Sequence, residues 1–348
     1  MINILLAVST ACSPIVSSSA SPPQDATETI ASKPFTEPDF SRWEVSLQDL
    51  GAAARKYEDR EKAEELLHSA KDAIQENPHV QEQTIIHYRT YEYNRSGKNF
   101  PGPEICANDV CIDNQRFILS GMPQNIESAA QYWNVILQQR GCVVVSLHDS
   151  SESEDLCNNF WKKESLTQMQ LFNGWTITEQ EQETVIEDNS CALIKTKLLA
   201  TNGKETRTLF HLHYTGWPNY TPITNETVFQ ELLKEMRLLS PNKSFPIAIN
   251  CHGGVGRTGA TAVTYVLEQQ ISKAVQENKE DEYRVNLAKT VYAFRKQRPT
   301  ALSNPGNVAK IFSVLEKYYN SLKRNERQSL YHNALKSDPL LSAVGDGE

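Results

Sequence analysis

Apolar positions along this chain change their period several times, and each change marks an element. From Ser41 they recur at Trp43, Val45, Leu47 and Leu50, then through a long charged stretch at Leu66, Leu67 and Ile74. This helical pattern ends at Asn77-Pro78, and its charges read as a solvated face. Phe117-Ile-Leu-Ser is strand-like, Ile126 to Gln139 repeats as an amphipathic helix, and Gly141 to Leu147 is a continuous apolar run suited to a strand buried on both faces. Residues 164–215 alternate as antiparallel strands, with Thr201-Asn202-Gly203-Lys204 as a hairpin turn. Phe245 to Asn250 is a second buried strand, followed at once by a glycine-rich turn and a helix from Thr258 to about Gln276. Two further helices are predicted near Glu282–Gln297 and Val308–Leu322. The alternation of buried strands and helices is that of an α/β protein.

The first 40 residues have a different character. Ser17 to Gln24 (SSSASPPQ) is small, polar and proline-containing, a mix that buries too little apolar surface to order itself. The apolar run Ile4 to Val8 is short and has no Lys or Arg ahead of it, the first being Lys33, so it lacks the charged start of a secretory signal. We expect a disordered leader over 1–40, a helical extension over 41–78, a main domain over 79–323 and a polar tail over 324–348.

Composition narrows the class. The chain has 348 residues, 39% hydrophobic and 22% charged, enough apolar material for a sizeable core. Its formal charge of −8 argues against a nucleic-acid partner, which calls for a basic face. No stretch approaches the ~20 apolar residues of a membrane-spanning helix, so membrane insertion is not expected. The seven cysteines, Cys12, Cys106, Cys111, Cys142, Cys157, Cys191 and Cys251, contain no CxxC pair. A zinc site or disulfide framework is therefore not expected, and a reducing, cytoplasmic compartment fits.

The chemistry concentrates in Asn250-Cys251-His252-Gly253-Gly254-Val255-Gly256-Arg257-Thr258-Gly259, between a buried strand and a helix. Glycines permit the backbone to turn successive N–H groups inward. Such a nest at a positive helix N-terminus is an anion site. The planar fork of Arg257 suits two phosphate oxygens. The same positive surroundings favour the thiolate of Cys251, which places a nucleophile beneath the anion.

In these residues the chain resembles the classical, cysteine-dependent protein tyrosine phosphatase family over roughly residues 80–322. Phe117-Ile-Leu-Ser-Gly-Met-Pro with Tyr132-Trp133, Cys157-Asn-Asn-Phe-Trp161, and His213-Tyr-Thr-Gly-Trp217-Pro218-Asn219 follow the family's order. The resemblance implies a twisted mixed sheet flanked by helices, with 79–323 as the phosphatase domain. It implies that Cys251 attacks phosphorus, that Arg257 and the amides of His252, Gly253, Gly254, Val255 and Gly256 hold the phosphoryl oxygens, and that Thr258 supports the departing thiolate. Trp217 would belong to a loop closing over substrate. Glu152 matches the carboxylate that holds the signature arginine; Glu154, or a merely solvated charge, is the alternative. No cofactor or metal is implied, and the substrates would be phosphotyrosine-containing proteins. The leader, helical extension and catalytic domain together resemble secreted bacterial effector phosphatases, implying a secretion chaperone or host partner and action in a host cytoplasm.

Several positions depart from the pattern. The family's general acid is the Asp after Trp-Pro, and here that position is Asn219, whose amide has no proton to give. Asn250 stands where a His usually precedes the nucleophile. The two glutamines that place hydrolytic water are Ser303 and Asn307, and the usual Tyr of the substrate loop is Ser96 in Asn94-Arg95-Ser96. His252, unusual inside the loop, is expected at its rim. The implied enzyme is slow, or else a phosphoprotein-binding module with weak catalysis.

Overall fold

The computed structural model describes residues 37–75, 107–123, 125–149, 152, 168–171 and 174–337, with side chains to residue 328. Residues 1–36 of the leader expected over 1–40, Asn94 to Ser96, Glu154 and Cys157 to Trp161 lie outside the described residues. Phe40, at the end of that expected leader, is buried instead, its ring 5.3 Å from that of Tyr292. Pro38–Glu348 forms one compact unit.

Its frame is an eight-stranded mixed sheet. In chain order the strands are β2 (Ala107–Ile112), β3 (Gln115–Gly121), β4 (Val143–Leu147), β5 (Gln168–Gln170), β6 (Thr176–Asp188), β7 (Cys191–Thr201), β8 (Thr206–Thr215) and β9 (Ile247–Cys251). The spatial order is β2-β3-β9-β4-β8-β7-β6-β5. The centre, β3-β9-β4-β8, is parallel, with Val143 between Ile247 and Phe210 in register. The flanks are antiparallel. The central strands are apolar throughout because both faces are covered. Ile118, Val144 and Ala248 face one core layer, around Trp133 and Ile136 of α3 (Ile126–Gln138). Leu119, Val145 and Ile249 face the other.

The second layer contains α4 (Glu226–Leu239), α5 (Gly256–Gln276), α6 (Leu287–Arg295) and α7 (Gly306–Ser337). Asparagine side chains start three of the helices. Asn125 makes a capping box with Ser128, Asn225 accepts from the Thr227 and Val228 N–H groups, and Asn286 accepts from that of Lys289.

The segment predicted as one helix from Ser41 is more varied. Val45 lies in a short strand, β1 (Glu44–Ser46), paired antiparallel with β10 (Arg284–Asn286) through Val285. Helix begins only at α1 (Leu50–Lys56) and α2 (Arg60–Gln75). Pairing with a distant strand overrides local periodicity here, and it also takes the start of the helix expected over 282–297, which begins only at Leu287. Leu66, Leu67, Ala70 and Ile74 of α2 are buried in the same core as Val291 and Phe294 of α6, so the segment packs as part of the domain. The last helix, expected to end near Leu322, runs on to Ser337 through the charged stretch expected as tail. Among the described residues, no helix is long and apolar enough to cross a membrane.

Candidate active site

β9 ends on Cys251 at the carboxyl end of the parallel strands, where open α/β sheets build their sites. The chain then turns into α5, whose N-cap, Val255, supplies no side-chain cap. Four carbonyls of this turn accept hydrogen bonds from other segments. Met122 N–H donates to Cys251 O at 2.9 Å and Leu302 N–H to Val255 O at 3.2 Å. Arg298, fully buried, donates from Nε to Gly254 O at 3.0 Å and from Nη2 to Gly253 O at 3.3 Å. A trans peptide sets its C=O and N–H in opposite directions. The N–H groups of His252, Gly254, Val255 and Gly256 are therefore turned the other way, toward the cleft, as an anion nest. Gly254 has to be glycine twice over: its φ is +66°, and a Cβ would sit 2.1 Å from the Ser120 carbonyl carbon.

Arg257, in the first turn of α5, is almost wholly buried. Its Nη1 and Nη2 donate to Glu152 Oε1 and Oε2 at 2.5 and 2.7 Å, a bidentate pair. Nη1 also donates to Trp217 O at 2.6 Å. Nε is buried and has no partner among the described residues, nor has the hydroxyl of Thr258. Both are donors in reserve, because a buried donor left unmade is costly unless a ligand satisfies it. The hydroxyl of Thr258 makes no hydrogen bond to Cys251 here.

The Trp217–Ile223 loop lies over this nest and is latched in three places. Arg257 holds the carbonyl of Trp217, Asn304 Nδ2 donates to Tyr220 O at 2.8 Å, and Asn307 Oδ1 accepts from Ile223 N–H at 2.9 Å. The Trp217 ring does not reach the cleft; it is buried between Tyr214 and Phe229, each 5.6 Å away centroid to centroid, and pins the loop. Asn307 lines the cleft, with its oxygen engaged by the loop and its amide nitrogen buried without a partner among the described residues. Asn307→Ala should strand the Ile223 N–H and destabilise the fold by about 1–3 kcal/mol. Hydrogen exchange over residues 217–224 should quicken, and unchanged exchange there would show that Asn307 is not a latch.

Asn219 and Tyr220 form one wall of a cleft of about 630 Å³, with Cys251, His252, Arg257 and Ser303 among its other lining residues. Asn219 Oδ1 accepts from the Tyr220 N–H at 3.1 Å. His252 is exposed, at the rim as expected. Glu226, the one carboxylate between Trp217 and Thr227 and the first residue of α4, is turned to α7. Burial raises its pKa, but bonds from Lys317, Ser313 and Lys310 outweigh that and bring it down to about 2, so it holds no proton at neutral pH.

Two residues of this site carried no signal in the sequence. One is Arg298, which organises the carbonyls of the turn. The other is His148, directly after β4, whose Nε2 donates to Asn250 Oδ1 at 3.0 Å. His148, His211 and His213 form a buried cluster; rings 148 and 213 stand 5.4 Å apart, and rings 211 and 213 stand 6.0 Å apart. Burial lowers all three, His148 to about 3, with His213 adding to the shift of the other two. Below pH 6.5 the unfolded imidazoles bind protons that the folded ones refuse, so stability falls as pH falls. Each histidine contributes a slope of up to about 1.4 kcal/mol per pH unit. Glu268, raised to about 7 by burial against its pairing with Arg237, opposes one of them. Denaturant unfolding at pH 7 and pH 5 checks this; equal stabilities would contradict it.

A thiol at a strand end, a nest of amides and an arginine held by a carboxylate define a phosphoryl-transfer site. The protein-tyrosine phosphatase family profile matches residues 81–316, and the chain belongs to that family of phosphoric monoester hydrolases. Two relatives come from Microplitis demolitor bracovirus. Probable tyrosine phosphatase protein H4 is 27% identical over 41% of this chain and 80% of its own length. Tyrosine phosphatase H3 is 25% identical over 56% of this chain and 59% of its own length, so less than two thirds of that relative is spanned. Among solved structures, PTPN18 in complex with HER2 phosphopeptides superposes with a TM-score of 0.60 at 16% identity, covering 79% of this chain and 100% of that one. The twisted mixed sheet flanked by helices is the fold of the family's catalytic domain.

Proposed function

We propose that the chain hydrolyses phosphotyrosine in proteins through a cysteinyl phosphate, slowly. Cys251 Sγ forms a bond to phosphorus as the bond to the phenolic oxygen breaks, and the phenolate leaves. Water then attacks phosphorus, the S–P bond breaks, and phosphate and the thiolate are released. Arg257 and the loop amides bear the charge on the three non-bridging oxygens throughout. One observation carries this reading: Arg257 Nε is buried and unpartnered beside amides turned into the cleft above Cys251. Slowness follows from Asn219, because a phenol with pKa near 10 leaves poorly without a proton.

A second reading has its own support. With Asn219 in place of an acid and Glu226 committed to α7, the chain would capture phosphoproteins and shield them with little turnover. Comparing turnover of an activated aryl phosphate and a phosphotyrosine peptide against Cys251→Ser separates the two. Release no faster than in Cys251→Ser, together with tight phosphopeptide binding, would replace the first reading by the second. Action is proposed in a cytoplasm, its own or a host's. A secretion chaperone or host partner would have to use a surface other than the apolar face of α2, which is covered.

A further inference from the structure

Cys251 and Glu152 belong to different segments, and their relative placement decides whether Arg257 lies over the thiol. Cys251 ends β9; Glu152 stands five residues after the end of β4, in a turn closed by Glu152 N–H donating to Asp149 O at 3.1 Å. β4 and β9 are parallel neighbours with Ser146 opposite Asn250, and their pairing stops there. Beyond that point a side chain takes over. His148, fully buried at the root of the Glu152 turn, reaches across to Asn250 Oδ1, the residue before the nucleophile.

Asn250 Oδ1 can only accept, which gives this bond its direction. Asn250 Nδ2 donates to Tyr132 Oη and Ser146 Oγ, both at 3.2 Å, so its oxygen faces His148 as an acceptor. His148 Nε2 therefore carries the hydrogen, and as a neutral ring it leaves Nδ1 bare, which agrees with a buried Nδ1 that has no partner. The backbone at His148 is held as well, because His213 Nε2 donates to its carbonyl at 3.1 Å. The His213 ring from β8 lies 5.4 Å from that of His148, and the charges of His252 and Arg257 also act on it.

We propose that His148 is a positioning residue for the reaction: its bond to Asn250 locks the Glu152 turn to the base of the Cys251 loop. This rests on the phosphatase reading of the site but concerns the thiol before any turnover. Neither His148 nor Asn250 lines the cleft, so the effect passes through the placement of Cys251 and of the carboxylate on Arg257. Small misplacement of reacting groups is enough to cost ~10²-fold in rate.

The test compares His148→Gln, which keeps an N–H donor near the position of Nε2, with His148→Asn, which is too short to reach. Alkylation of Cys251 by iodoacetate, followed by mass spectrometry from pH 5 to 8, reads the thiol without requiring turnover. Thermal melting reports folding separately. The expected result is alkylation of the Gln variant within about 3-fold of wild type across the profile, with the Asn variant slowed about 10-fold or more while still folded. An Asn variant that is folded and reacts like wild type overturns the proposal. So does a folded Gln variant that has lost reactivity as fully as Asn. If the Asn variant fails to fold, the Gln variant decides alone: retained reactivity supports the lock, and a 10-fold loss in a folded protein overturns it. Wild-type protein that releases no phosphate yet shows this pattern would sink the turnover reading and leave the positioning role standing.

Discussion

Asn219→Asp should raise turnover of a phosphotyrosine peptide by about 10²–10⁴-fold, the range a placed general acid contributes. The position already suits the task. Asn219 lines the cleft with Cys251, on a loop held down by Arg257, Asn304 and Asn307, so the substitution needs no new loop conformation. An Asp side chain there would accept the Tyr220 N–H as Asn219 Oδ1 does, leaving its second oxygen for the leaving group. Gain on an activated aryl phosphate should be far smaller, because its phenol departs without a proton. The advantage should also fade as pH rises, since the new carboxyl works only while protonated. Equal gains on both substrates would mean that leaving-group protonation is not what the wild type lacks. No gain on either would mean that some other group already supplies the proton.

Arg257→Lys should lower kcat/KM by about 10³-fold on either substrate, with most of the loss in kcat. The guanidinium serves three masters: both oxygens of Glu152, the carbonyl of Trp217, and an Nε left for the anion. An ammonium is a point charge with three donors and no planar fork, so it cannot keep these geometries together. Loss of the bond to Trp217 O should also free the lid, visible as faster hydrogen exchange at 217–221. A lysine variant within about 3-fold of wild type would show that charge alone holds the phosphoryl group, contrary to the fork geometry proposed here.

Much of the site could be read in the sequence because its parts are close in the chain. Cys251 through Thr258 is one turn, and a strand, glycines and a helix start constrain it enough to announce an anion nest. The lid was readable for the same reason, as a Trp-Pro turn with an amide where an acid belongs. The pairing of Glu152 with Arg257 was open to Glu154 in the sequence, and the bidentate contact shows Glu152 in that place. Trp217 and Asn307 were expected near substrate. The Trp217 ring is instead a pin in the core, whereas Asn307 does line the cleft and its oxygen also latches the loop.

What the sequence determined by itself is the chemistry available: a thiol, an arginine, a nest of amides, and no acid after Trp-Pro. It also determined the α/β class, since continuous apolar strands between amphipathic helices leave few other ways to cover both faces of a sheet. Only the tertiary structure decided which distant groups hold that chemistry in place. Arg298 gathers the outward carbonyls of Gly254 and Gly253 from 44 and 45 residues away in the chain, and His148 reaches Asn250 across 102. Such partners leave no spacing to read, because strand order rather than sequence distance brings them together. The same holds for the pairing of β1 with β10, where a partner strand overrode a helical period. Local periodicity reports what one segment can bury, and it contains no term for the neighbour against which that segment is buried.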